Sequence, residues 1–404
     1  MYRLAPQVRN YPWGSHTVLA RLTGRPHPTQ QPEAELWIGA HPIASATLLL
    51  PGVSATRTLD GVIRSDPVAA MGPACASRFG PRLPFLLKVL AVEAPLSIQC
   101  HPSTTQVQSA PSTTYPDLWG KPEAVLALTR FEVCAGLRPF PQLQERLTSL
   151  RIPLLTSLTR QSATDPDPMR ALLGRLLRLP DAVGRQLSAD TVTSLRHEGN
   201  DPAVLAVQRA ARQHPDDIGL VVLLMMRYRV LTPGTLMYLS PGVLHAYLSG
   251  TAVEIQANSD NVVRAGLTGK PTNVAELLRI VDTARQPTAP APICSGRTRT
   301  WPVRWQTHFA LHHVGGGATG VMLPGQGTPR IALALGAPVR LSGSDQKLQL
   351  APGQCCFLPA TESPVTVVGP GEVYLARPGV IKGRAAARPN TVVGARLSAT
   401  GARS

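Results

Sequence analysis

Residues 96–102 read LSIQCHP, and three consecutive side chains there, Gln99, Cys100 and His101, are each able to ligate a metal. The stretch alternates: Leu96, Ile98 and Cys100 fall in one register, Ser97, Gln99 and His101 in the other. In a β-strand, side chains two apart share a face. One face is then apolar, with Cys100 as its small last member, and the other presents a hydroxyl, an amide and an imidazole together. A strand with core on one side and chemistry on the other makes its surroundings β structure.

Working outward, residues 1–135 hold further strand-like pieces, ATLLLP, FLLKVLAV and AVLALTRFEVCAGLRP, punctuated by proline and glycine. The character then changes. DPDPMRALLGRLLRLP offers Asp167 as N-cap and Pro168 at the first helical position, followed by Met169, Leu172, Leu173, Leu176 and Leu177 at helical spacing. DPAVLAVQRAARQHP repeats the device with Asp201 and Pro202. From 217 the chain returns to strands and tight turns, with a helix expected around NVAELLRIVD. A proline-rich linker follows at 285–296, and then a second strand-only region. Its APGQCCFLPA parallels TPGTLMYLSPG in the earlier part, which suggests two related β-barrels.

The bulk properties bound the function. A chain of 404 residues, 43% hydrophobic and 16% charged, is long enough for two or three folded domains. The start, MYRLAPQVRN, has no apolar signal-peptide core, and the longest apolar runs fall far short of a membrane span. Six cysteines, at 75, 100, 134, 294, 355 and 356, show neither zinc-knuckle spacing nor the density of a secreted disulfide scaffold, so a cytoplasmic protein is expected. The net charge of +16 raises nucleic-acid binding, but the arginines are scattered, aromatics make up 4%, and no binding motif accompanies the charge. No nucleic-acid or membrane partner is expected. Arginine outnumbers lysine 35 to 5, and three of the five lysines, Lys88, Lys121 and Lys270, lie in segments dense with functional groups. Lysine is the compact, tunable ammonium of the two, so these positions look selected.

Two more segments are rich in such groups. LWGKPEAVLAL at 118–128 places Lys121 two residues before Glu123, so both can project the same way. PGVLHAYLSGTAVEIQANSDNVVRAGLTGK at 241–270 packs His245, Glu254, Asn258, Asp260, Arg264 and Lys270 into thirty residues. Singly, each has a structural explanation: a histidine in a strand is usually a hydrogen-bonded core residue, and NSDN is most simply a turn. Together, His101, His245, a carboxylate and an amide make a nitrogen- and oxygen-donor set of the kind Zn²⁺ accepts.

NYPWGS (10–15), EAELWIGAHP (33–42), LPFLLKVLAVEAPLSIQCHP (83–102), KPEAVLAL (121–128), HAYLSG (245–250) and EIQANSDNVVRAGLTGK (254–270) occur in an order that resembles the type I mannose-6-phosphate isomerases. The resemblance implies a mainly β fold with a helical insert, two cupin-like (jelly-roll) β-barrels plus a small α-helical domain. Residues 1–138 and 217–284 would form the catalytic barrel, 139–216 the helical insert, 285–380 the C-terminal barrel, and 381–404 a disordered basic tail. It implies zinc-dependent interconversion of mannose 6-phosphate and fructose 6-phosphate through an enediol, with one Zn²⁺ per chain. Gln99, His101, Glu123 and His245 would be the zinc ligands, and Arg264 the active-site arginine. Glu254 and Lys121 would be catalytic groups, and Ser97, Lys88 and Lys270 would line the substrate and phosphate pocket. A monomer is consistent with all of this. Departures from the family pattern stand at Trp119-Gly120, Thr235, Gly269 and Asn273, so the alternative is a non-catalytic or repurposed sugar-phosphate-binding cupin paralogue.

Overall fold

The computed structural model describes residues 1–50, 57–196, 198–303, 306–362 and 364–380. The expected disordered tail, 381–404, lies outside them. The fold is mostly β, with twenty-five strands in four sheets and twelve helices among the described residues. A ten-stranded sheet runs in the order Met226–Leu231, Phe131–Leu137, His245–Ala257, Phe85–Val92, Glu35–Ile38, Gln7–Arg9. Glu123–Ala127, Leu236–Leu239, Ile98–Cys100 and Val263–Gly266 pair beside that path. A nine-stranded sheet is built mainly from residues 293–377, and a four-stranded sheet accompanies it.

Phe85–Val92 is buried along its whole length, and its alternation separates two faces. Phe85, Leu87, Val89 and Ala91 join Leu36, Ile38, Val253 and Ile255 in a core shared with Ile331, Leu333 and Phe357 of the nine-stranded sheet. The intervening residues point to the opposite, inner face. There Leu90 and Val92 pack with Val125, Ala127 and Ala252, and Lys88 stands in the same row. Period-2 geometry thus places Glu35, Lys88, Glu123 and Glu254 inside the sheet rather than between sheets.

The strand His245–Ala257 breaks its own alternation. In its first half His245 and Tyr247 face inward while Ala246 and Leu248 pack toward the helices; in its second half the even-numbered Ala252, Glu254 and Gln256 face inward. The slip falls between Tyr247 and Ser249, where the register against Phe131–Leu137 shifts, and Gly250 follows it with φ +111°; a Cβ there would sit 2.4 Å from the carbonyl oxygen of Arg130. Only glycine permits this close crossing, and the one-residue slip turns His245 and Glu254 toward a common interior.

Six helices span 140–225. Asp167 accepts a hydrogen bond from the Arg170 amide at 3.0 Å with Pro168 in the first turn, and Asp201 caps Pro202–Ala211 in the same way, as the sequence indicates. Their apolar faces form one core with Ile98, Cys100, Val263 and Ala265 from the sheet. Cys100 is fully buried there beside Ile98, on the side away from Gln99. The helix expected at NVAELLRIVD is Val274–Ile280, capped by Asn273.

Three features differ from the sequence reading. Residues 59–79 form short helices in a region read as strand and turn; Asp66 and Pro67 open one of them with the same Asp-Pro device. The end of the proline-rich linker, Ile293–Ser295, is a strand paired with Thr298–Thr300, because the prolines stop at 292 and free the amides for a ladder. Finally, Tyr2–Ala5 does not pair with the ten-stranded sheet. It pairs with Cys355–Leu358, Tyr2 opposite Phe357 and Leu4 opposite Cys355. Tyr2–Ala5 is short, and both sheets offer it an apolar face.

In the nine-stranded sheet, Arg377 Nε donates to His312 Nε2 at 2.8 Å and His312 Nδ1 meets the Thr300 hydroxyl at 2.7 Å. Burial, aided by Arg377, holds His312 down at about 3, against an ordinary 6.5. The folded-state value is the lower one, so this contribution to stability is complete above pH ~6.5 and is lost progressively as pH falls toward ~3. The urea midpoint is expected to drop on acidification from pH ~7 to ~4, and to drop less in His312→Gln. Equal drops in both proteins would place the acid sensitivity elsewhere.

Candidate active site

The inner face of the ten-stranded sheet closes on a cavity of about 40 Å³ lined by Glu35, Lys88, Ser97, Gln99, Lys121, Glu123, His245, Tyr247, Glu254 and Gln256. Glu123 and His245 of this lining meet His101: the ligand atoms of the three all lie within 4.8 Å of one another, and all three residues are buried. Glu123 Oε2 is 3.0 Å from His101 Nε2, and Oε1 is 2.9 Å from His245 Nε2. The Tyr247 hydroxyl donates to Glu123 Oε1 at 3.0 Å.

The outer nitrogens fix the tautomers. His101 Nδ1 donates to the carbonyl of Asn261 at 3.0 Å, and His245 Nδ1 to the carbonyl of Val243 at 3.0 Å. The neutral ring of His101 then turns an Nε2 lone pair toward a carboxylate that itself carries only lone pairs, while His245 Nε2 faces the other oxygen of the same carboxylate. His101 Nε2, despite its proximity to Glu123, makes no hydrogen bond of acceptable geometry. Two buried imidazoles and a carboxylate converging on one point are the donor set that zinc takes, so the residues fit a bound Zn²⁺. Gln99 lies beside this set on the adjacent strand. It is the register partner of His245 on one side and Arg264 on the other, and its amide nitrogen donates to Ser97 Oγ at 3.0 Å.

The charges respond to this burial. Desolvation drives His101 down to about 3, with the Lys121 ammonium adding to the effect. Burial also pulls His245 down, but Glu123 more than offsets it and the ring ends above its ordinary value. For Glu123 burial raises the carboxyl, yet the two imidazoles hold it well below the usual carboxylate range. Burial lowers Lys121 and raises Glu254, so these neighbours are both pushed toward neutrality. That is the condition in which a carboxyl or amine exchanges protons near neutral pH.

The remaining expected residues are spread over three settings. Lys88 Nζ lies 3.0 Å from Glu254 and 3.6 Å from Glu35, over the ring of Trp37 at 5.1 Å, so it is committed to a buried ion-pair network. Arg264, half-buried, is on the same sheet face as Gln99 and His245 but outside the cavity lining. Lys270 is not brought to this cavity. It is exposed, on an open cleft of about 740 Å³ with Arg185, His214 and Thr268, against the helices. Sequence reasoning missed Glu35, Tyr247 and Asn261. Tyr247 was within reach, since it lies two residues after His245 on the same face.

A buried imidazole–carboxylate–imidazole set inside a cupin-like β fold defines a metal-dependent enzyme. A family model described as "Phosphomannose isomerase type I, catalytic domain" matches residues 1–140. The mannose-6-phosphate isomerase of Escherichia coli (strain K12) is 33% identical, over 92% of this chain and 98% of its own length. That of Bos taurus is 32% identical, over 71% and 74%. A crystal structure of zinc-bound mannose 6-phosphate isomerase superposes with a TM-score of 0.84 at 32% identity, covering 94% of this chain and 99% of that one. The chain belongs to the mannose-6-phosphate isomerase family.

Removing one partner of a buried ion pair leaves the other charge uncompensated. Lys88→Met is therefore expected to destabilise the protein by about 3–5 kcal/mol in urea unfolding. Lys88→Met/Glu254→Gln should recover part of that loss. A single variant as stable as the parent would show that the network carries no such tension.

Proposed function

We propose that this chain interconverts mannose 6-phosphate and fructose 6-phosphate, with Gln99, His101, Glu123 and His245 holding one Zn²⁺. The observation that carries the reading is the convergence of His101, Glu123 and His245 on one buried point, in a chain whose relatives across bacteria and animals are mannose-6-phosphate isomerases. No observation favours a non-catalytic paralogue. Among the described residues no helix is long and apolar enough to cross a membrane.

When bound, zinc supplies a Lewis acid that polarises the sugar carbonyl. The protein supplies the rest. Moving the carbonyl between C1 and C2 requires a proton to leave one carbon and return to the other through an enediol. Glu254 and Lys121, side by side in the cavity and both pushed toward neutrality, are the proposed carriers of that proton. Arg264 sets a permanent positive charge beside the oxygen on which negative charge develops. Ser97 and Lys270, which have donors to spare, are the proposed phosphate contacts, Lys270 from its exposed loop. Lys88, in the same cavity lining, pairs with Glu254 and Glu35 and is proposed to hold Glu254 in place while keeping a donor for the substrate. In domain terms we read 1–138 with 217–284 as the catalytic barrel, 139–216 as the helical insert and 285–380 as a second barrel.

A coupled assay for fructose 6-phosphate formation, with and without chelator, tests the activity directly: turnover should vanish with the metal and return when zinc is added. His101→Ala should lose both zinc and activity, and activity surviving in verified absence of zinc would falsify the metal assignment. Arg264→Ala should keep zinc and fold while kcat falls about 100- to 1,000-fold. A near-normal kcat there would remove Arg264 from the proposed mechanism.

A further inference from the structure

The ring of His101 is oriented by a main-chain carbonyl, that of Asn261, and the support for that carbonyl runs outward through the fold. Asn261 is fully buried. Its side-chain amide donates to the carbonyl oxygens of Asp117 at 2.8 Å and Trp119 at 2.6 Å. The Asp117 carboxylate in turn accepts from the amides of Trp119 at 2.9 Å and Asp260 at 3.0 Å. The loops 117–119 and 259–261 are therefore locked together by reciprocal hydrogen bonds. The indole of Trp119 projects from this lock into a cage of Arg82, 4.0 Å over its ring, Phe79 at 5.7 Å and His308 at 5.5 Å; Phe79 and His308 also touch, at 5.4 Å. His308 belongs to the C-terminal region, two residues before the strand Ala310–Val314 of the nine-stranded sheet.

The next residue makes the coupling tight. A Cβ on Gly120 would lie 2.5 Å from the Thr104 nitrogen, so only glycine lets this backbone lie against the segment that follows His101. Gly120 N donates to Thr104 Oγ1 at 3.0 Å and Lys121 N to the Pro102 carbonyl at 3.1 Å. Trp119-Gly120, where the sequence departs from the family pattern, is thus the piece that joins the indole cage to both His101 and the Lys121–Glu123 strand.

We propose that the C-terminal region positions the metal ligand His101 through His308, Trp119 and Asn261, so that Trp119 and His308 are positioning residues for zinc. The proposal rests on the metal reading given above. Partners that orient a ligating histidine are typically worth about 10- to 100-fold in metal affinity.

The test is zinc affinity, measured on the full chain by competition with a chromogenic chelator, alongside the melting temperature of the zinc-free protein. Trp119→Ala and His308→Ala are expected to weaken zinc by about tenfold or more. The KM for mannose 6-phosphate should stay unchanged and kcat should return at saturating zinc. Trp119→Phe should restore most of the affinity. If Trp119→Ala does not fold, Trp119→Leu and the half-buried His308→Ala carry the test. Parental zinc affinity in the folded variants, whatever their melting temperatures, overturns the proposal. The parent is titrated first: a parent that binds no zinc defeats the metal reading itself, whereas a zinc-binding parent matched by its variants defeats only the brace.

Discussion

A carboxylate buried between two imidazoles is the constraint around which the rest of the molecule is arranged. Glu123 lies in an interior whose neighbours on the same face are Val125 and Ala127, a setting that opposes its charge. It is tolerable there because His101, His245 and the Tyr247 hydroxyl all converge on it and because the set accommodates a cation. Each imidazole is held from behind by a backbone carbonyl, so the geometry is imposed by loops as well as by strands. Beside it, the Glu35–Lys88–Glu254 network keeps a second group of charges from collapsing onto the first. The proposed zinc ligands and the proposed proton carriers meet at one small cavity.

Much of this was readable from period-2 alternation. LSIQCHP places Gln99 toward the cavity and Cys100 in the opposite core with Ile98, as its registers demand. KPEAVLAL puts Lys121 and Glu123 on one side for the same reason. The Asp-Pro helix starts at 167 and 201 are local chemistry and appear where the residues say. Alternation alone, however, would send His245 and Glu254 to opposite faces, since they are nine apart. The slip just before Gly250 brings them together, and a glycine in a strand does not announce which way the count will shift.

Other features depend on partners far away in the chain. Lys88 stands in a segment that marks it as functional, but its two carboxylate partners come from different strands, and only their registers reveal that the ammonium is already engaged. Lys270 lies six residues after Arg264, beyond a backbone excursion that carries it to the helical side. Trp119 reads as an irregularity until the ring of His308, from a segment nearly two hundred residues later, is placed against it. Sequence spacing reports the face of an element; what meets that face is settled by topology.

The pairing of Tyr2–Ala5 with Cys355–Leu358 has a consequence for synthesis. Tyr2–Ala5 has one ladder partner at Thr47–Leu48, made soon after it, and the other only at Cys355–Leu358. While the ten-stranded sheet and the helices are being made, the edge of this segment that will meet Cys355–Leu358 waits unpaired in the nascent chain. Contacts of such long sequence separation form slowly and leave strand edges open to other chains. Truncation near residue 355 would therefore strip one edge of Tyr2–Ala5 of its partner, and that edge would be the first to seek another.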